Sequence, residues 1–200
     1  IGKNVINSKG AIHYLRDNEL AENEDYLKTK INKKKIVSFI VGGPNNYFDY
    51  NDVFLDDLFL RIKNIFIVKG YQLIFIPSFR TPQRIIDKAK EYYDNNQIII
   101  DKIDKKAYLS SLKLANHIIV TSDSTSMISE AAMTGKPIYV AQMPSIRKSN
   151  RFVKFFELYK SLKIIKDLEN SVEEWSYEKL NETSRISSYI KDQIKNYEIS

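Results

Sequence analysis

Short apolar runs alternate with longer amphipathic stretches from Lys35 onward. The clearest apolar run is IVSFIV (36–41), which ends in the turn residues Gly-Gly-Pro. A short apolar run bounded by turn residues predicts a strand that is buried on both faces. The same pattern predicts five more strands, at 73–77, 97–100, 117–121, 137–141 and, as a very short one, Ile164-Ile165.

Apolar residues at helical spacing fill the intervals between these strands. A helix is predicted from Asn51 or Asp52, with Gly70 as its C-terminal stop. Thr81 is expected to cap the next helix, with Pro82 at its first position. Further helices are predicted at 105–115, between TSDSTS and Gly135, at 150–162 and at 178–197.

This alternation of strands and helices requires crossover connections, and therefore a parallel sheet. The predicted fold class is α/β, a doubly wound, Rossmann-like sheet of five or six strands. We divide the chain into a leading segment (1–35), a sheet-bearing lobe (36–170) and a helical extension (171–200). The leading segment lacks a strong period, and only a short strand at Asn4–Asn7 is predicted within it.

The amino-acid composition excludes several kinds of functional site. The 200 residues include no cysteine, which excludes disulfides, thiolate zinc sites and a cysteine nucleophile. His13 and His117 stand far apart in sequence, so a histidine-rich metal site is not expected. No apolar run approaches the roughly 20 residues of a membrane span. The chain begins with Ile1 rather than Met, and we expect it to be part of a longer protein.

The net charge of +6 suits an anionic partner, such as a phosphorylated ligand, an acidic membrane surface or nucleic acid. The densest basic run is KTKINKKK (28–35), which we interpret as a solvated linker. No nucleic-acid-binding motif accompanies it, so nucleic acid is not an expected partner. A cytoplasmic location is expected, with peripheral membrane contact through the basic surface as an open alternative.

Candidate chemistry lies at the carboxyl ends of the strands, where doubly wound sheets bind ligands. In GGPNNY (42–47), Gly42 and Gly43 allow backbone amides to approach an anion closely, although Gly-Gly after a strand is also typical of a tight turn. In PSFRTP (77–82), Arg80 can bind phosphate in a bidentate fork. Alternatively, Arg80 binds no ligand and is simply an exposed arginine beside an ordinary helix cap.

The third strand end is TSDSTS (121–126), in which every residue except Asp123 carries a hydroxyl. The amides and dipole at the start of the following helix favour an anion. We expect Asp123 to cap this helix, and Ser124, Thr125 and Ser126 to contact phosphate oxygens.

Glu130 lies one turn into the same helix. Helical side chains lean toward the N-terminus, so its carboxylate can reach back over the first turn and accept from the two hydroxyls of a ribose. The alternative is that the acid only complements the positive end of the helix dipole.

The stretch from Asp123 to Val140 has the pattern D-S-x-S-M-x-S-E-A-x-x-T-G-K-P-x-Y-V, and it resembles the mitochondrial fission (elongate-mitochondria) family. The resemblance covers almost the whole chain, since NVINSKGAIH (4–13), VGGPNNY, PSFRTP and the tail RFVKFF…EEWSYEKLNETSRI (151–186) are similar as well. Family members are longer and carry another lobe ahead of this one.

The resemblance implies the C-terminal lobe of a two-lobed GT-B-type glycosyltransferase, similar to the lipid-linked N-acetylglucosaminyltransferase of cell-wall synthesis. Such a lobe binds a nucleotide diphosphate sugar, with a UDP-sugar favoured, and needs no bound metal or other cofactor. The catalytic base would come from the other lobe. The implied nucleotide-binding residues are Gly42, Gly43, Arg80, Ser124, Thr125, Ser126, Met127 (through its amide) and Glu130.

The resemblance also places the donor sugar near the 142–151 loop, where the polar side chains are Gln142, Arg147, Asn150 and Arg151. One departure is that the cell-wall enzyme has glycine where this chain has Asp123-Ser124. The plant members of the family recruit a dynamin-like protein to mitochondria. A non-catalytic adaptor that retains the fold is therefore the alternative function.

Overall fold

The computed structural model describes the backbone of residues 5–198 and the side chains of residues 5–195. Its strands are β1 (Lys35–Val41), β2 (Tyr71–Pro77), β3 (Ile98–Ile99), β4 (His117–Thr121), β5 (Ile138–Ala141) and β6 (Ile165–Asp167). They form one sheet in the order β3-β2-β1-β4-β5-β6, and every neighbouring pair is parallel.

Helices connect these strands and cover both faces of the sheet. They are α1 (Asp17–Glu22), α2 (Asp25–Lys28), α3 (Asp52–Ile62), α4 (Gln83–Tyr92), α5 (Lys105–Leu114), α6 (Thr125–Ala132), α7 (Asn150–Ser161) and α8 (Glu182–Glu198). Helix α3 continues into a π-helical turn at Lys63–Ile67. The predicted α/β, doubly wound sheet is confirmed, with six strands.

The sheet is buried on both faces because alternate residues of its central strands enter two different cores. On β1, Phe39 belongs to the cluster under α3 and α4, whereas Ile40 belongs to the cluster under α5 and α6. Phe39 packs edge-on against Phe59 and Phe75, with ring centroids 6.1 and 5.6 Å away. This two-sided burial explains why the strands are continuous apolar runs in the sequence.

The strand order has a switch point between β1 and β4. The chain first runs outward from β1 through β2 to β3, then returns to β4 on the other side of β1 and continues outward to β6. Val37 pairs with His117 and Ile40 with Val120, so the carboxyl ends of β1 and β4 lie side by side. The connections leave these two ends in opposite directions, and a crevice opens between them.

Several predicted helix ends are confirmed. The Asn51 side chain accepts from the amide of Phe54 at 2.9 Å and caps α3. Gly70 and Gly135 have φ angles of 87° and 73°, in the left-handed region that glycine tolerates best.

The capping role predicted for Thr81 was wrong. Helix α4 begins at Gln83, and Pro82 occupies the cap position. The Thr81 hydroxyl instead donates toward the carbonyl of Gly42 at 2.6 Å and accepts from the amide of Ser78 at 2.8 Å. Because this hydroxyl bonds to the end of β1, it does not cap the helix.

Two short helices, α1 and α2, occupy the leading segment, where no helix was predicted. Leu20 and Leu27 are buried against α5, and the Leu27 amide donates to Ser110 Oγ at 3.1 Å. Helices of six and four residues are too short to display a helical period in sequence. As for the strand predicted at Asn4–Asn7, Asn4 lies outside the described residues and residues 5–7 are not in a strand.

We predict that Leu27→Ala lowers the free energy of unfolding by about 2 to 5 kcal/mol, because it removes a fully buried side chain from the α2–α5 contact. Urea unfolding followed by circular dichroism measures the change. The matched control is Leu60→Ala, on the exposed side of α3, which should cost far less. Equal effects of the two substitutions would contradict a packed leading segment.

Candidate functional site

The loops after β1, β2 and β4 meet at the crevice and are joined by hydrogen bonds. Thr121 Oγ1, at the end of β4, accepts from the amide of Gly42 at 2.8 Å. The amide of Ser78, after β2, donates to the carbonyl of Val41 at 3.0 Å. Beyond β4, Ser122 Oγ accepts from the amide of Met143 after β5 at 2.9 Å. The ends of four adjacent strands are thus held in fixed relation.

Asp123 lies at the centre of these loops, and its side chain is completely buried. Oδ2 accepts from Arg80 Nη2 at 2.7 Å and from the amide of Gly43 at 3.2 Å. Oδ1 accepts from the hydroxyl of Tyr50, which is buried as well. The expectation that Asp123 caps α6 was wrong, because its carboxylate points back toward β1 and β2.

The two glycines after β1 are required by close packing. A Cβ at position 42 would lie 2.1 Å from Asp123 Oδ2, and one at position 43 would lie 1.9 Å from the carbonyl oxygen of Arg80. Only glycine permits such approaches. Within the chain, the amide of Gly43 donates to an anion, which is the carboxylate of Asp123.

Ser124 is the residue that caps α6. Its backbone is extended, and its Oγ accepts from the amide of Met127 at 3.4 Å. The amides of Thr125 and Ser126 have no acceptor among the residues that the structure describes. Unpaired amides at a helix N-terminus, together with the helix dipole, favour an anion.

A cleft of about 310 Å³ opens onto this helix start. The guanidinium groups of Arg80 and Arg151 supply positive charge, and Thr125 and Ser126 supply hydroxyls beside the free amides. Its lining comprises Asn45, Asn46, Tyr47, Arg80, Asp123, Ser124, Thr125, Ser126, Arg151 and Phe152. This set of donors fits a phosphate or diphosphate group.

A second, larger cleft of about 510 Å³ adjoins the first and shares Thr125, Ser126 and Arg151 with it. Lys9 and Lys154 add positive charge to its lining. The start of α6 is therefore surrounded by cationic side chains on two sides.

Glu130 lies one turn along α6 but does not line the 310 Å³ cleft. Glu130 is half-buried, and its carboxylate accepts from the hydroxyl of Tyr108 on α5. Burial raises the pKa of Glu130 above its ordinary value, and this effect outweighs the opposing effects of the Tyr108 hydrogen bond and nearby His13. The hydrogen bond to Tyr108 directs this carboxylate toward α5.

Of the four polar residues on the predicted donor-sugar side, Arg151 lines both clefts. The Arg147 guanidinium lies over the ring of Tyr47, 5.9 Å from its centroid, beside the smaller cleft. Asn150 is exposed at the first position of α7. The Gln142 amide donates to Asp167 Oδ1 at 2.9 Å, so this side chain turns toward β6.

Sequence reasoning missed Tyr50 and Tyr108, whose hydroxyls contact Asp123 and Glu130 respectively. Both contacts join residues far apart in the chain, and no local pattern around either tyrosine signals them. Asn45 was also missed, although it carries a recognisable turn signal. Its Oδ1 accepts from the amides of Tyr47 and Phe48 at 2.8 and 3.0 Å and shapes one wall of the cleft.

Within residues 5–198, no helix is long and apolar enough to cross a membrane. The same residues contain no cluster of three or more histidine, aspartate or glutamate side chains arranged to hold a metal ion.

The order of the strands and the position of the crevice define a doubly wound, Rossmann-like lobe. In a comparison with solved structures, the S. aureus MnaA–UDP co-structure matches with a TM-score of 0.50 and 13% identity. The match covers 86% of this chain and 43% of that protein. At this identity, the likeness concerns the fold alone.

Residues 1–194 match the model of the family described as mitochondrial fission ELM1, and the chain belongs to this family. It is 30% identical to the uncharacterized protein RP120 of Rickettsia prowazekii over 199 residues, which cover 96% of this chain and 56% of the relative. It is 27% identical to the mitochondrial fission protein ELM1 of Arabidopsis thaliana over 198 residues, covering 95% and 45%. The chain thus spans about half the length of these relatives.

The raised pKa of Glu130 predicts a pH dependence of stability. Because the folded chain holds this proton more tightly than the unfolded chain, Glu130 stabilises the fold at low pH, and that contribution is lost as the pH rises above 4.5. Glu130→Gln should therefore gain stability relative to the unsubstituted chain between about pH 4 and about pH 7. Urea unfolding at both pH values measures this difference, with Glu157→Gln at an exposed position of α7 as the control. A constant difference would contradict the expectation.

Proposed function

We propose that this chain is the lobe of a GT-B-type glycosyltransferase that binds a nucleotide diphosphate sugar. One observation carries the proposal: the start of α6, with its free amides and hydroxyls, opens together with Arg80 into the crevice at the switch point of the sheet. Amides, hydroxyls and a guanidinium group around one cleft are the donors that a diphosphate requires.

In the proposed complex, the diphosphate lies against Ser124, Thr125, Ser126, the amide of Met127 and Arg80. Gly42 and Gly43 allow the loop after β1 to close around Asp123 beside it. The Met127 amide must exchange its long bond to Ser124 for one to the ligand.

The ribose lies one turn along α6, where Glu130 accepts from its two hydroxyls in place of Tyr108. A UDP-sugar is the favoured donor. Its sugar extends toward the 142–151 loop, where Arg151 lines both clefts and Arg147 lies over the ring of Tyr47 beside the smaller one. Asn150 is exposed in the same loop, and Gln142 lies toward β6.

The proposed reaction breaks the bond between the anomeric carbon of the sugar and the diphosphate oxygen, and forms a bond from that carbon to an acceptor hydroxyl. The helix N-terminus and Arg80 stabilise the negative charge that develops on the departing diphosphate. The base that takes the acceptor proton belongs to a further lobe, and no metal is required.

A second candidate is a non-catalytic adaptor that retains the fold. The observation in its favour is the relative from Arabidopsis thaliana, which is named for mitochondrial fission rather than for sugar transfer. Both candidates are compatible with a cytoplasmic location and with peripheral contact between the basic surface and an acidic membrane. They differ in whether the donor sugar is turned over.

We expect the chain to bind UDP and UDP-GlcNAc in isothermal titration calorimetry. Glu130→Ala should weaken UDP binding by about tenfold to a hundredfold, because it removes a charged acceptor of the ribose hydroxyls. The same variant should bind inorganic pyrophosphate as tightly as the unsubstituted chain does, since pyrophosphate has no ribose. This second ligand separates loss of a contact from loss of the fold.

Absence of binding by any uridine nucleotide at about millimolar concentration would exclude a uridine diphosphate site of useful affinity. If Glu130→Ala weakened the binding of UDP and of pyrophosphate equally, this result would contradict the proposed contact between Glu130 and the ribose.

The enzyme and the adaptor are separated by turnover in a longer family member that carries both lobes. If the proposal is right, incubation with UDP-GlcNAc or another UDP-sugar releases UDP, and Arg80→Gln slows that release because leaving-group stabilisation is lost. A coupled assay for UDP measures the rate. Tight nucleotide binding without UDP release from any donor sugar favours the adaptor.

A further inference from the structure

A buried acid stands directly behind the proposed anion site. Asp123 lines the 310 Å³ cleft beside Ser124, Thr125 and Ser126, yet its side chain has no exposed surface. On charge alone, a carboxylate at this position repels a diphosphate and lowers the affinity of the site. The hydrogen bonds of Asp123 point to the opposite effect.

The first of these bonds determines where Arg80 lies. The Arg80 side chain is 41% exposed, and the bond from its Nη2 to Asp123 Oδ2 is 2.7 Å long. An exposed arginine samples many rotamers, and fixing it in one of them costs side-chain entropy. Because Asp123 holds one edge of the guanidinium group at the cleft, part of this ordering is complete before a ligand binds.

The second set of bonds determines where Asp123 lies. Tyr50 is fully buried and its hydroxyl donates to Oδ1, while the amide of Gly43 donates to Oδ2 at 3.2 Å. Burial, and secondarily the negative charge of Asp123, raises the pKa of Tyr50 far above its ordinary value, so the hydroxyl remains protonated and continues to donate. The carboxylate therefore has donors on both oxygens and a fixed orientation.

We infer that Asp123 is a positioning residue, which with Tyr50 behind it holds the Arg80 guanidinium at the start of α6 and so raises the affinity of the cleft for a phosphate or diphosphate group. The inference rests on the proposed function, since it concerns the same site. It makes a prediction opposite to that of simple electrostatics: removal of this negative charge weakens anion binding.

The test is calorimetric titration of the 200-residue chain and its Asp123→Asn variant with inorganic pyrophosphate and with UDP. We expect Asp123→Asn to weaken the binding of both ligands by about tenfold, because Arg80 loses its carboxylate partner. Unchanged or tighter binding by Asp123→Asn, with normal binding by the unsubstituted chain, overturns the inference and leaves the proposed function intact. Absence of binding by the unsubstituted chain overturns both.

A double-mutant cycle distinguishes positioning from a general structural role. If Asp123 acts through Arg80, Arg80→Gln alone should weaken pyrophosphate binding about tenfold. Adding Asp123→Asn to this variant should then cause little further loss of affinity. Independent, additive losses overturn the inference.

Tyr50→Phe provides a milder variant in case Asp123→Asn unfolds. It keeps the buried ring and removes only the hydroxyl, so we expect a weakening of about threefold to tenfold with the same dependence on Arg80. The matched control is Tyr93→Phe, another buried tyrosine, which lies beside Phe59 and lines neither cleft. Equal binding by Tyr50→Phe and the unsubstituted chain contradicts the inference.

Discussion

The compensation of one buried charge organises the carboxyl edge of this sheet. A carboxylate removed from water is tolerated only when cations and hydrogen-bond donors surround it, and Asp123 obtains them from the two loops that follow β1 and β2. The loops after β1 and β2 must therefore close over the end of β4. Gly42 and Gly43 make this closure sterically feasible, since a side chain at either position would overlap Asp123 or Arg80.

The parallel order of the strands gives this local arrangement its position in the molecule. Because β1 and β4 are neighbours whose connections diverge, the cluster around Asp123 forms at the one point of the sheet where a crevice must open. Each residue of TSDSTS then has its own role. Thr121 and Ser122 join the neighbouring strand ends, Asp123 binds the loops, Ser124 caps α6, and Thr125 and Ser126 face the cleft.

Much of the fold follows from the sequence because burial on two faces and helical periodicity are local patterns. All six strands, and the helices with full apolar stripes, could be predicted in this way. The roles of Asp123, Thr81 and Tyr50 could not, because each depends on a partner about 40 to 80 residues away that only the folded sheet brings near. Helices α1 and α2 escaped prediction because they are too short to show a period. The residues that contact a ligand stay predictions.

The connections of residues 7–13 have a mechanical consequence. The amide of Ala11 donates to Ser129 Oγ on α6, while the amides of Lys9 and His13 donate to Glu182 and Thr183 at the start of α8. A pull on this segment would therefore act on both α6 and α8 through these hydrogen bonds. Since Ser129 precedes Glu130 on α6, any displacement of the segment is transmitted to the same short helix whose first turn faces the cleft.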